Sequence, residues 1–198
     1  MAVDIDTIKR LKELTGIGLT DAKAALAEVN GDFDKALDAM RKKGLTKADK
    51  RGEREARAGI VGTYNHDSRI GVVVEVNSET DFVARGEIFA ELVKDIAMHI
   101  AASSPLFVSV DDIPSAEVAK VTAEFTDKAT SDGKPANMVA KIVEGQVKKH
   151  FAERCLLEQP YIKNPDQSVG LYVKETAARL NENVVVRRFS RIALGEMN

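Results

Sequence analysis

The sequence has 198 residues, is 44% hydrophobic and 30% charged, and carries a formal net charge of −2. A chain of this kind buries a sizeable core, is not disordered, and offers no general reason to expect nucleic acid or an anionic membrane as partner. Its one cysteine, Cys155, excludes an intrachain disulfide and a cysteine zinc site, and no apolar run approaches the ~20 residues of a membrane span.

The opening run Met1-Ala2-Val3-Asp4-Ile5-Asp6 is acidic where a signal or transit peptide is basic, so a cytoplasmic protein is the simplest expectation. Three short helices are predicted next. Asp4 or Asp6 caps the first, which carries Ile5, Ile8, Leu11 and Leu14 at three-residue steps and ends at Gly16. Thr20 caps the second, with Ala22, Ala25, Leu26 and Val29 on one face and a stop at Asn30-Gly31. Asp32 caps the third, with Phe33, Ala36, Leu37 and Met40, stopped at Gly44. Stripes this narrow suit a small three-helix bundle over residues 1–46.

The composition then shifts. Between Arg41 and Arg57 eight basic residues stand against three acidic ones. The part over residues 47–57 reads as a solvated, partly helical basic linker, in preference to an RNA-binding surface. A sharper version has this run meeting an acidic patch on a protein partner.

Residues 58–198 read as a mixed α+β core. Gly59 to Tyr64 and Ile70 to Val76 form a predicted hairpin with His66-Asp67-Ser68 in its turn. Asn77-Ser78-Glu79-Thr80 then leads into a helix predicted to run to about Ala101. A strand that restarts as a helix across a short polar turn makes a rigid corner, where binding residues often sit. Ser78 and Thr80 are both good caps, and Asp81 complements the positive end of a helix. Phe82 and Phe89, seven residues apart, fit one buried helical face, as do Ile88, Leu92, Ile96 and Ile100. On the residues alone, Phe82 is therefore expected in the core.

Leu106 to Val110 is a short apolar run with strand character, between Pro105 and Asp111-Asp112. Helices follow from Ser115 to about Thr130 and from Pro135, at a first helical position, to about Ala152, with Gly133 between them. A further helix near Ser168 to Leu180 precedes a final strand, Asn183 to Leu194. Hairpins without regular strand–helix alternation predict antiparallel pairing. The final strand, with Val184, Val185, Val186, Phe189 and Ile192, serves either pairing between copies or the interior of a monomer.

Catalytic chemistry is hard to find. Thr15-Gly16-Ile17-Gly18 follows a helix and lacks the third glycine of a dinucleotide fingerprint. Gly133-Lys134-Pro135 lacks the earlier glycine and the hydroxyl of a phosphate loop. His66, His99 and His150 are far apart, without paired ligand spacing, and Cys155 lies in an apolar run where a small buried side chain is expected. No tryptophan and 5% aromatic residues leave no evident platform for stacking bases. The expectation is a protein with no catalytic residue, metal ligand or cofactor.

Thr80-Asp81-Phe82-Val83-Ala84 resembles a signature of the elongation factor Ts family, guanine-nucleotide exchange factors of the translational GTPase EF-Tu. Thr15-Gly16-Ile17-Gly18 with Asp21-Ala22-Lys23-Ala24-Ala25-Leu26 resembles the family's other signature. Lys141-Ile142-Val143-Glu144-Gly145, Leu157-Glu158-Gln159-Pro160 and Glu182-Asn183-Val184-Val185-Val186-Arg187-Arg188-Phe189 resemble later blocks. The similarity runs nearly end to end, and several blocks in order are far more specific than any one.

The resemblance implies a ubiquitin-associated-type module in the N-terminal bundle and EF-Tu as partner. It implies that Thr80, Asp81, Phe82 and Val83 form an exchange wedge, with Asp81 and Phe82 entering between helices of the GTPase and disturbing its magnesium side. Ile17, Gly18, Leu19 and Asp21 would hold another face of the same domain, and the core's far end would grip a distal one. Leu19, Thr20 and Ala22 stand where the family usually has bulkier or sulfur-bearing residues, and Ser78 where it often has cysteine. The short length resembles the compact members, which pair as homodimers, so the core over 58–198 doubles as the dimerisation domain. A competing reading makes the bundle a ubiquitin- or peptide-binding module on an oligomeric scaffold. An exposed aromatic at the Glu79–Phe82 corner separates the two.

Overall fold

The computed structural model describes residues 4–196. The chain divides into two compact units, one of the residues up to Met98 together with those from Leu171, the other of His99–Gly170.

The first unit opens with three helices: α1 (Ile5–Thr15), α2 (Leu19–Glu28) and α3 (Phe33–Arg51). Asp4 caps α1 by accepting from the Thr7 amide, and Gly16 ends it in the left-handed region at φ 67°. Its buried residues are Ile8, Leu11 and Thr15, whereas Ile5 and Leu14 are exposed. The expected stripe fails because steps of three residues fall about 60° short of a full turn each, which puts Ile5 and Leu14 on opposite sides. Asp32 caps α3 as expected, accepting from the Lys35 amide at 3.1 Å, but α2 is capped by Gly18 rather than Thr20. Ile8, Leu11, Ala22, Ala25, Leu26, Ala36 and Met40 form the shared core of the three helices.

α3 does not stop at Gly44. That glycine is buried mid-helix, where an added Cβ would sit 3.3 Å from the Ala178 side chain. It is a close approach between helices rather than a terminator.

β1 (Ala58–His66) and β2 (Ile70–Ser78) form the expected hairpin, with Asp67 and Ser68 both at positive φ in its turn. β5 (Val184–Ala193) pairs antiparallel with the other side of β2, giving the order β1-β2-β5. The final strand is therefore an edge. Val72, Val74 and Val76 point into the core, and β1 passes so close beneath Val93 that only a glycine, Gly62, fits there. Two helices follow β2, a single turn α4 (Asp81–Ala84) and the long α5 (Glu87–Ser103). Phe89, Leu92, Val93 and Ile96 of α5 are buried, and Ile88 is exposed. Tyr172, on α8 (Val169–Leu180), donates to the Asp95 carboxylate of α5 at 3.1 Å.

In the second unit, α6 (Ser115–Ser131) and α7 (Ala136–Ala152) form a helical hairpin around Ile113, Val121, Phe151 and Cys155. Pro135 is the residue before α7 rather than its first. Leu106 to Val110 is not a strand: Phe107 makes one parallel bridge to Cys155, and Ser109 and Asp112 then close a short 3-10 turn. The Asp112 carboxylate takes both the amide and the hydroxyl of Ser109, which competes with extended pairing. A small hairpin, β3 (Pro160–Tyr161) and β4 (Asn164–Ser168), went unread because its strands are short, polar and without alternation.

Candidate partner-binding site

The corner between β2 and α4 is held by side chains that reach it from far along the chain. Ser78, fully buried, donates its hydroxyl to the Thr80 carbonyl at 3.0 Å. Thr80 caps α4, its Oγ1 accepting from the Val83 amide at 3.3 Å. Glu182, in the turn between α8 and β5, accepts from the Thr80 hydroxyl at 2.6 Å and from the Thr80 amide at 3.1 Å. Glu79 acts in the opposite direction: its Oε1 accepts from the Asn183 amide at 2.7 Å, and its Oε2 faces Arg54 at 3.4 Å. The Asn183 side chain donates to the carbonyls of Gly52 and Arg54. Charge-assisted bonds in a mutual pair of this kind fix geometry as well as energy.

α4 lasts one turn and breaks at Arg85–Gly86, where the Gly86 amide bonds back to the Val83 carbonyl at 2.9 Å. α5 restarts at Glu87, so the two phenylalanines no longer share a helix. Phe89 is fully buried and Phe82 is 88% exposed. The expectation that Phe82 packs in the core is overturned, and the break at Gly86 is the reason. Asp81 is exposed beside it, Val83 is half-buried, and Ala84 anchors the turn in the core. Phe82, Val83, Ile88 and Leu180 line an open groove of about 900 Å³. An exposed phenyl forgoes roughly 1.5–3 kcal/mol of burial.

The loop from α1 to α2 meets the same frame. A Cβ on Gly16 would run into the backbone of Arg179, and the Asn181 side chain donates to the Gly16 carbonyl at 3.1 Å. Asn181 also accepts from Arg51 at 3.1 Å. Beyond Gly16, Ile17 packs half-buried against the bundle core, Leu19 is 51% exposed, and Gly18 and Asp21 are exposed. The turn Asn181-Glu182-Asn183 thus bonds both to Gly16, just before Ile17, and to Thr80 at the head of the corner. This role was missed in the sequence. Its one local sign is Asn181 just past the helix end, where a left-handed residue is needed; its φ is 58°.

Of the other candidates, Cys155 and His99 are packed groups, whereas His66 is exposed. Burial pushes the Cys155 thiol pKa up, away from nucleophilic use. His99 is buried, with Nε2 on the Gln159 side-chain oxygen at 3.0 Å and Nδ1 accepting from the Ile162 amide at 3.3 Å. Burial holds its pKa below the ordinary histidine value. Among the described residues no group of three or more His, Cys, Asp or Glu side chains is placed to hold a metal, and no helix is long and apolar enough to cross a membrane.

Comparison with known proteins adds an independent line. The model of the family Elongation factor TS matches residues 24–196. The chain is similar to the elongation factor Ts of Geobacter sp. (strain M21), 47% identical over 197 residues, spanning 99% of this chain and 91% of that one. It is equally 47% identical to that of Geobacter sulfurreducens, with the same coverage. The elongation factor Ts of Thermoanaerobacter sp. (strain X514) is 47% identical over 195 residues, 98% of this chain and 96% of that one.

Proposed function

The chain belongs to the elongation factor Ts family of translation factors, and from that premise we propose that it binds EF-Tu loaded with GDP, speeds GDP release and lets GTP rebind. The observation that carries this reading is Phe82, 88% exposed on a corner clamped by Glu182 and Glu79.

In a GTPase the diphosphate is held by backbone amides of the phosphate loop and by a bound magnesium ion. An exchange factor needs no covalent chemistry, and this one uses no cofactor or metal of its own. It lowers nucleotide affinity only by binding the empty GTPase better than the filled one. Phe82 and Asp81 enter the nucleotide domain and displace the elements that support the magnesium side. Because the corner is fixed before contact, little ordering cost is subtracted from that differential binding. Ile17, Gly18, Leu19 and Asp21 hold a second face of the same domain, with spacing set by the shared Asn181–Asn183 turn. A scaffold reading leaves the exposed aromatic without a use.

The work belongs in the cytoplasm and involves neither nucleic acid nor membrane directly. A homodimer is part of the proposal. By strand register Val61, Val73 and Ile192 share the sheet face opposite Val72, Val74 and Val76, and all three are exposed. A second copy covers this face.

The test is loss of fluorescent GDP from EF-Tu with and without the protein. Substoichiometric protein should speed release by orders of magnitude, since a true exchange factor turns over. An unchanged release rate with the protein in excess would reject the proposal.

A further inference from the structure

We infer that Glu182 is a positioning residue for exchange, holding the Thr80–Val83 corner so that Phe82 meets the partner in one orientation; this rests on the exchange reading above. A hydroxyl has one proton to give. Thr80 gives it to Glu182 Oε1 at 2.6 Å, which leaves its lone pairs free to accept from the Val83 amide at 3.3 Å. Glu182 thereby sets the direction of the cap as well as its position. The second carboxylate oxygen takes the Thr80 amide at 3.1 Å, so both acceptors are used.

α4 has only four residues, too few to persist by its own hydrogen bonds. Its orientation depends on its cap, and the cap depends on Glu182. Glutamine keeps the shape but not the bonds: its oxygen can take the Thr80 amide, while its NH2 turns the Thr80 hydroxyl from donor into acceptor and the charge assistance of the carboxylate is lost. Both of these bonds from Glu182 go to Thr80, so its influence on Phe82 passes through Thr80.

The experiment is a double-mutant cycle. Glu182→Ala and Glu182→Gln are made alone and with Phe82→Ala, and the maximal GDP release rate is measured for each. Amide hydrogen exchange is followed in the free protein. Each Glu182 variant should lower the maximal rate about tenfold, the factor that charge-assisted hydrogen bonds carry, and have almost no further effect once Phe82 is gone. The Thr80 and Val83 amides should exchange faster while those of α1 keep their protection. Thr80→Val removes the same hydroxyl from the other side without touching the entry to β5, and should behave alike. Equal losses with and without Phe82, or unchanged protection at Thr80 and Val83, would overturn the inference. Should the parent itself fail to speed GDP release, the exchange reading falls, and with it the purpose assigned to Glu182. Faster amide exchange in the variants would in that case still report the clamp.

Discussion

The Glu79 carboxylate accepts a 2.7 Å hydrogen bond from the Asn183 amide, and the residue before it, Glu182, returns two bonds to Thr80. The two ends of the sheet's central and edge strands are thus tied reciprocally, and no bond in the tie uses Phe82. Truncating Phe82 therefore leaves the tie intact.

Phe82→Ala should leave thermal unfolding nearly unchanged, because substitutions at exposed sites fall mostly within about 0.5 kcal/mol. Its effect on GDP release should exceed tenfold, since an aromatic anchor at an interface is worth at least about 2 kcal/mol. Calorimetry beside a release assay on one preparation checks both halves. Asp81→Ala should act in the same direction but more weakly, because Thr80 rather than Asp81 supplies the cap. A Phe82→Ala protein that exchanges normally would remove the wedge from the mechanism.

Nucleotide and factor must weaken each other equally. The protein should bind nucleotide-free EF-Tu tightly and release it when GDP and magnesium are added, by the same factor that it lowers GDP affinity. Titrations around the full cycle, with and without saturating GDP, measure both factors. An affinity that ignores nucleotide would leave binding intact and sink the exchange mechanism.

The starts of α1 and α3, the end of α1 and the first hairpin were legible in the sequence because single residues carry them: Asp4, Asp32, Gly16 and Asp67-Ser68 each sit where predicted. The corner's candidate residues were legible through the family resemblance. What failed depended on partners distant in sequence. Gly44 looks like a helix stop until Ala178 is found against it. Phe82 shares a face with Phe89 only if the helix is continuous, and the break at Gly86 is decided by how α4 docks on β1 and β2. The Asn181–Asn183 turn has no periodicity to read, since its purpose lies in the Gly16 and Thr80 it holds.

Two glycines should respond to alanine with opposite signs. Gly16→Ala places a side chain at φ 67° and against the Arg179 backbone. Left-handed strain and overpacking together should cost about 2–4 kcal/mol. Gly145, inside α7 with nothing near its missing Cβ, should gain roughly 0.5–1 kcal/mol as alanine. Urea unfolding of both variants checks the pair, and a tolerated Gly16→Ala would mean that α1 does not approach α8 this closely in solution.

The uncovered sheet face yields a further prediction. Val73 is 46% exposed at the centre of that face, on the middle strand. Val73→Arg adds a charge that a dimer interface would bury unpaired, at a cost of several kcal/mol, while a solvent-facing site tolerates it. Sedimentation should show the parent as a dimer and the variant as a folded monomer. A monomeric parent, or a variant that remains dimeric, would move the interface elsewhere or abolish it.

Stability should fall as pH drops below about 6.5, through His99. Its Nδ1 accepts from the Ile162 amide and its Nε2 lies on the Gln159 oxygen, so the folded protein holds a neutral ring with no place for a second proton. Burial lowers its pKa below the ordinary 6.5, so between the folded value and 6.5 the unfolded chain takes up a proton that the folded one refuses. Stability therefore rises with pH across that window at up to about 1.4 kcal/mol per pH unit, is complete above it, and has lost the whole contribution below it. Glu75 and Asp32 are also held below their ordinary values, by the hydrogen bonds from Arg188 and Lys35 respectively. Their contributions are complete above the ordinary carboxylate values of 4.5 and 3.8, so they stay constant from pH 5.5 to 7.5. Urea midpoints measured over that range should decline toward the acid end in the parent and flatten in His99→Gln, which cannot titrate. A flat parent profile would mean that the imidazole is protonated in place and that the Ile162 contact yields to it.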